Sequence, residues 1–334
     1  MVYTLTSVIL MPIISLTGVT GNVISVIIIS RDGLHRCSNV LICVLAVADS
    51  MYLIGLNNVV NIMLGEDITF MCRPYDWVTH LIYLSNNIFA MLESTGMIVS
   101  MLVPTLIVIE RFVAVFFPFH FTKIVTVWRV RLAAICLFPI SLPVFLLTIP
   151  VYWNMGAYIS RSLMARSPEI LLAYMSTKMD IVKVHKVVLE IYSAICGPVS
   201  VCLVIFGCIL ISVKIHSQQR VRHKMIRCQG WEGKQNKDTD KGAESFQSNK
   251  TTKILISVCC FYSITGAFSF LSDLVFTSEF VGAEFSFWIH KASMMLVCIN
   301  STANFIIYVA FNRKFREAYM SMCFCGSSRT VKNK

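Results

Sequence analysis

Four ionisable side chains stand inside otherwise apolar sequence: Asp49, Glu93, Glu110 and Arg111. Each costs at least roughly 2.5–3.5 kcal/mol at the centre of a bilayer-spanning helix, so a residue of this kind is functional by default. Small polar groups lie in similar apolar settings: Asn22, Ser100, Asn300 and Asn304. Such a set can bind, pair and relay charge. It has no arrangement for making or breaking covalent bonds: there is no HExxH, no GxSxG and no clustered Asp/His set, which argues against a membrane enzyme.

The elements that position these groups are long apolar runs. The chain has 334 residues, 56% of them hydrophobic and only 14% charged, with mean hydropathy +0.70. A soluble domain carries closer to about a quarter charged residues. A membrane-spanning helix needs roughly 20 apolar residues, and seven runs qualify: about 4–29, 40–64, 80–116, 132–152, 187–213, 254–276 and 285–309. They are continuous rather than alternating, which excludes a β-barrel. The expected fold is an all-α membrane protein, a seven-transmembrane helix bundle. The third run is long enough to tilt and project beyond the bilayer. Pro139, Pro143 and Pro150 in the fourth and Pro198 in the fifth are tolerable where neighbouring helices satisfy the freed carbonyls. No Lys or Arg precedes the first run, which ends at Arg31 and is too long for the core of a cleaved signal peptide.

The net charge of +11 follows topology rather than a nucleic-acid-binding face. Basic residues concentrate after runs one, three, five and seven, for example Arg31 and Arg36, Lys123 and Arg129, ten Lys or Arg from Lys214 to Lys253, and Arg313, Lys314 and Arg316. The positive-inside rule then puts the N-terminus outside and the C-terminus in the cytoplasm, which requires an odd number of spans. The segment 216–250 is polar and rich in Gln, Lys and Gly, and reads as a flexible third inner loop. Residues 1–311 form the bundle and 312–334 an amphipathic helix with a tail. In that helix Phe311, Phe315, Tyr319 and Met322 are expected on one face, opposite Arg313, Lys314 and Arg316. Cys323 and Cys325 follow at the bilayer surface, either palmitoylated or as plain thiols. Most of the other cysteines lie inside apolar runs and read as small hydrophobes.

Several strings, in order, resemble the rhodopsin-like (class A) G-protein-coupled receptors. Gly21-Asn22-Val23 is similar to their GNxxV element and Leu45-Ala46-Val47-Ala48-Asp49 to LAxAD. The string from Glu110-Arg111-Phe112 to Pro118 is similar to E/DRYxAVxxP. Pro198 stands where the fifth-helix proline is expected. Asn300 to Tyr308 resembles NSxxNPxxY, with Phe311 and Phe315 following as in the eighth helix. Each string alone is weak; together, in sequence and on the right runs, they cover Gly21 to Arg316.

The resemblance implies an extracellular peptide or small-molecule ligand and a heterotrimeric G protein as partners, in the plasma membrane, with no enzyme activity and no nucleic acid. It implies that Glu110 pairs with Arg111 at rest, that Arg111 is released toward the transducer, and that Phe119, just past Pro118, projects into the G protein. It implies a Na⁺ ion held by Asp49, Ser100 and Asn300, the one cofactor expected; the alternative is an Asp49 that is protonated or hydrogen-bonded to Asn22 and Asn304. Asn22, Asn304, Tyr308 and Pro198 form the activation core. Glu93 lies 18 residues before Arg111, about five helical turns up the same face, where the family's amine receptors place a carboxylate for the ligand. It faces either a cationic ligand or an internal partner such as Lys291. Phe89 and Trp288, with Tyr83, Phe268 and Phe270, are candidate pocket aromatics.

The departures from the pattern are specific. The sixth run lacks the family's Trp and Pro, and Gly266 is left to supply a bend; the fourth run lacks its Trp. Phe305 replaces the seventh-helix proline. Asn86 occupies the third-helix cysteine position and 154–183 contains no cysteine, so the family's usual extracellular disulfide cannot form. These losses resemble a divergent lineage similar to invertebrate neuropeptide (FMRFamide-type) or chemosensory receptors. Three competing readings fit the sequence less well. A seven-helix transporter predicts an inverted repeat, which is not seen. A light receptor needs a Lys where this chain has Cys298. The third, an enzyme, lacks its motifs.

Overall fold

The structure, a computed structural model, describes residues 9–58, 77–140, 187–188, 191–192, 195–229, 255–272 and 282–324. Within them the chain forms α1 (Met11–Asp32), α2 (Cys37–Leu56), α3 (Trp77–Phe116), a single turn Phe121–Ile124, α4 (Val127–Ile140), a π-helical turn Ile195–Val199 running into α5 (Ser200–Gln229), α6 (Leu255–Ser272), α7 (Ala283–Phe311) and α8 (Arg313–Phe324). Six of these helices are long and apolar enough to cross a membrane; the described part of the fourth expected span is α4, 14 residues long. The rest of that run, with Pro143 and Pro150, lies outside the described residues.

The helices are turned inside out relative to a soluble protein. In α1 the buried stripe is Ser15, Gly18, Asn22 and Ser25, at helical spacing, while Ile13, Leu16, Val23 and Ile27 are exposed. With lipid outside, apolar burial gives little drive, so close approach through small residues and polar contacts between helices hold the bundle. Gly21 admits the Phe305 ring of α7, where an added Cβ would lie 2.7 Å from it. Gly55 of α2 and Gly96 of α3 each meet the backbone of the other helix, at Glu93 and Tyr52, where no Cβ fits. At the end of α1, Gly33 at φ 95° turns the chain toward α2, and its N–H donates to the Ile29 carbonyl at 3.1 Å.

Two prolines shape the middle of the bundle. Pro198 lies in the π-turn opening α5, a widening that accommodates its missing donor. Pro104 is inside α3. Its neighbour Met101 offers its carbonyl to the Ser200 hydroxyl of α5 at 2.8 Å. Val99, Val103, Ile107, Leu41, Leu45, Val204, Ile211, Leu255 and Val258 fill the inner half of the core.

Two expectations change. α5 continues as helix to Gln229, so the first part of 216–250 is ordered helix rather than flexible loop. Gln, Lys and Arg are good helix formers, and a helix already nucleated in the bilayer is extended by them at little cost. α6 runs unbroken past Gly266, where an ideal Cβ would lie 2.9 Å from Val201 of α5. Phe311 is 64% exposed and does not share the buried face of α8, because it belongs to the last turn of α7.

Candidate functional site

The inner polar site is assembled from α1, α2, α3 and α7. Asp49 is completely buried. Ser100 Oγ donates to Asp49 Oδ1 at 2.5 Å and Asn304 Nδ2 to Oδ2 at 2.7 Å, with the Ser301 hydroxyl also within reach. Asn22 does not touch the carboxylate; its amide donates to the Ser301 carbonyl at 3.1 Å and so braces α7 from α1. Asn300 is buried, and its Oδ1 has no hydrogen-bond partner. It lines a narrow cleft with Ser100, Ser301, Tyr52, Thr265 and Gly266. One turn inward of Asn304, the Tyr308 hydroxyl is buried and also unpartnered. Removing a polar group from water without a partner costs about 1–3 kcal/mol, so these two atoms mark places where something else is meant to bind or where the bundle rearranges.

The second site lies at the inner end of α3. Arg111 Nε is 2.7 Å from Glu110 Oε2, a contact made by charge because its angle is poor for a hydrogen bond, while Nη2 donates to Oε1 at 3.2 Å. Nη2 also donates to Ser38 Oγ of α2. Both charged side chains are nearly buried, at 10% and 5% exposure. A few residues on, Pro118 is exposed and Phe119 is 90% exposed, the most exposed large apolar side chain described.

Between these sites is a hydroxyl junction that sequence reasoning did not find. Ser200 of α5 meets Thr105 Oγ1 of α3 at 2.8 Å, and Tyr262 of α6 donates its hydroxyl to Ser200 at 3.3 Å. With the Met101 carbonyl, this ties α3, α5 and α6 together beside Pro104 and Pro198.

The outer site is looser. Glu93 is half-buried on α3, and the Lys291 charge of α7 acts on it. Phe89 is half-buried; Trp288 is 42% exposed, Phe268 44% and Phe270 37%. The Tyr83 and Asn86 side chains lie outside the described residues, as do 141–186. Below the outer site, Ser269 and Ser293 join α6 to α7 by their hydroxyls at the top of the cleft.

The 7 transmembrane receptor (rhodopsin family) model matches residues 21–308. The chain belongs to this family. It is a multi-pass membrane receptor, and its match runs from the Gly21-Asn22 pair to Tyr308. An FMRFamide receptor of Drosophila melanogaster is 22% identical over 329 residues, covering 95% of this chain and 53% of that protein. The chain thus spans about half the length of the curated relative it matches, and it is similar to an invertebrate neuropeptide receptor.

Within this receptor, the lost seventh-helix proline has a structural replacement. Phe305 packs edge-on to Phe315 and Tyr319 of α8, with ring centroids 6.1 and 5.4 Å apart, and Tyr308 lies 5.9 Å from Phe315. The ring therefore wedges between Gly21 of α1 and α8. Phe315 is 5% exposed. Arg313 pairs with Glu317 on the exposed face of α8 at 2.6 Å. Cys323 lies in the last turn of α8; its side chain and Cys325 fall outside the described residues.

Proposed function

We propose that this receptor binds an extracellular ligand and activates a heterotrimeric G protein, with its N-terminus outside the plasma membrane and its C-terminus in the cytoplasm. The observation that carries this reading is the Arg111 site. A guanidinium held by a neighbouring carboxylate and by Ser38 of a second helix is a latch, and the exposed Phe119 lies a few residues beyond it. Breaking the Ser38 contact separates α3 from α2 at the inner face and frees a charged group for a partner. Ligand binding outside need only favour the open arrangement of a two-state bundle.

The ligand is a cationic peptide or amine whose ammonium or guanidinium competes with Lys291 for Glu93. The Drosophila relative is named for FMRFamide, whose letters spell an arginine-containing amidated peptide, which is the same chemistry. Chemosensory amines fit the same carboxylate. Asp49, Ser100 and Asn300 hold a Na⁺ ion in this reading, because the unpartnered Asn300 Oδ1 lines a cleft with Ser100, whose hydroxyl is bonded to the Asp49 carboxylate. Exchanging Na⁺ for a bulky organic cation should then shift agonist potency in the parent and leave Asp49→Asn unmoved.

The test is a screen of amidated peptides and biogenic amines on cells expressing the receptor, with G-protein activation as readout. For the active ligand, Glu93→Gln should lower potency by about tenfold or more, the worth of a charge-assisted bond of about 1.5–3 kcal/mol. Unchanged potency would remove Glu93 from the pocket. Failure of every G protein to respond, with the ligand bound, would remove the coupling.

A further inference from the structure

Three thiols meet where α5 packs against α6, and neither the Asp49 site nor the Arg111 latch uses them. Cys208 of α5 is 6% exposed and Cys259 of α6 is 1% exposed, and both belong to the inner core. Cys260, the next residue of α6, is exposed. The Cys208 thiol is within hydrogen-bonding reach of both Cys259 and Cys260. Adjacent residues of a helix diverge by about 100°, so Cys259 faces the bundle and Cys260 the lipid, with Cys208 on the seam between them. Cys259 is held on its inner side, where its thiol donates to the Pro104 carbonyl of α3 at 3.9 Å. Beside Cys208, Gly207 gives room to the Val108 side chain of α3, which seats α5 next to the cluster.

This placement sets the three apart from the other membrane thiols. Cys202 of α5 is exposed as well, but it lies about 9 Å along the helix and about 120° round from Cys208. An isolated thiol in lipid reacts slowly, because its sulfur must shed a proton in an apolar medium. Here a neighbouring S–H can donate to the developing charge. The cluster is also away from the bilayer midplane: Cys208 is six residues, about 9 Å, from the exposed Lys214. Cys208 can bond to either thiol of α6. A Cys259–Cys260 bond is disfavoured, since consecutive Cα atoms lie about 3.8 Å apart and disulfides span about 4.4–6.8 Å. Only Cys260 is open to a reagent that arrives through the lipid.

We propose that Cys260 is a site of oxidation by lipid hydroperoxides, and that Cys208 resolves it to a disulfide joining α5 to α6. In the first step the O–O bond of the hydroperoxide breaks. The distal oxygen transfers to the Cys260 sulfur and the thiol proton passes to the departing alkoxide oxygen, giving a sulfenic acid and a lipid alcohol. In the second step the Cys208 sulfur attacks the Cys260 sulfur, the S–O bond breaks, and hydroxide leaves with the Cys208 proton as water. The two thiols lose two electrons and the peroxide gains them. A small dithiol reverses the bond by exchange. Two residues beyond Cys260, the Tyr262 hydroxyl donates to Ser200 of α5 at 3.3 Å. The oxidised receptor therefore has α5 and α6 tied at two heights, once by a hydrogen bond and once covalently.

The experiment uses the full-length receptor, with a specific protease site inserted in the 216–250 segment, in nanodiscs of saturated phosphatidylcholine doped with linoleic acid hydroperoxide. Remaining thiols are blocked with N-ethylmaleimide, the chain is cleaved, and the two halves are run on a denaturing gel without reductant. The parent halves should stay joined until dithiothreitol is added. Cys208→Ser and Cys260→Ser should each abolish the joined species, while Cys259→Ser and Cys202→Ser should leave it. Cys208→Ala, which puts no hydroxyl in the core, should behave as Cys208→Ser does. In Cys208→Ser, dimedone should trap a sulfenic acid at Cys260, located by mass spectrometry. Separate halves in the oxidised parent would overturn the proposal. So would a joined species that survives Cys260→Ser or is lost with Cys259→Ser. Hydrogen peroxide in the water phase joining the halves as fast as the lipid hydroperoxide would overturn entry from the lipid. Each variant is scored only on monodisperse receptor with the parent's thermal midpoint before oxidation.

Discussion

The inner and outer halves of this receptor are built by different rules. In the inner half, Asp49 has a donor on each oxygen, Arg111 is held from two helices, and the side chains are almost wholly buried. In the outer half, Glu93 is half-buried and feels the Lys291 charge of α7, among aromatics that are a third to nearly half exposed. A dense buried network has few arrangements, and moving one member disturbs the rest. A sparse, half-open site tolerates change in any single side chain. The family strings at Asn22, Asp49, Arg111 and Asn304 all lie in the dense half. The contrast sets the expected hierarchy of effects: inner changes alter stability and signalling for every ligand, whereas outer changes alter the affinity of one.

The largest effect is expected at Asp49. Asp49→Leu leaves the Ser100 hydroxyl and the Asn304 amide without acceptors, at about 1–3 kcal/mol each, so the thermal midpoint of purified receptor should fall sharply and surface expression with it. Asp49→Asn keeps one acceptor and should fall between. Next is Phe315→Ala, which removes the ring that Phe305 and Tyr308 rest on. A buried Phe→Ala change costs about 3–5 kcal/mol in a tight core; at this membrane-edge site about half of that is expected. Limited trypsin digestion should then cut at Arg313 and Arg316 faster than in the parent. An outer change with a comparable stability cost would erase the contrast.

At the outer site a double-substitution cycle sharpens it. Glu93→Gln and Lys291→Gln should each change ligand potency, and the two should be non-additive by about 0.5–3 kcal/mol if the carboxylate and ammonium meet, with melting temperature nearly constant. The smallest effect is expected at the junction between the halves. Tyr262→Phe removes one hydrogen bond to Ser200, worth about 0.5–1.5 kcal/mol. Basal G-protein activation should rise by up to about tenfold, and Ser200→Ala should add little more, since both act through one hydroxyl.

Much of this architecture was legible because the bilayer makes polar residues conspicuous. Asp49, Asn22, Asn304 and the Glu110-Arg111 pair each contradict their apolar surroundings, and the structure brings the first three to one locus around Ser301. Hydroxyl residues gave no such signal. In a membrane helix a Ser or Thr satisfies itself on the carbonyl one turn back, as Ser25, Ser50 and Ser263 do here. Nothing in the sequence distinguishes these from Ser200 or Ser38, whose hydroxyls reach other helices. Phe305 was legible as a lost proline, but its destination between Gly21 and Phe315 depends on how α1, α7 and α8 meet. The helical start of the 216–250 segment is hidden by its polar composition, because the helix that feeds into it carries on through polar residues.

The latch at Arg111 is the point on which the functional reading turns. The direct measurement is nucleotide exchange on a purified heterotrimeric G protein by receptor in nanodiscs, with agonist binding measured on the same preparation for the parent and for Arg111→Gln. Agonist affinity should stay within a few-fold of the parent while exchange falls to the rate of the G protein alone. Parent-level exchange from Arg111→Gln would show that the buried polar core of this bundle does not carry the signal.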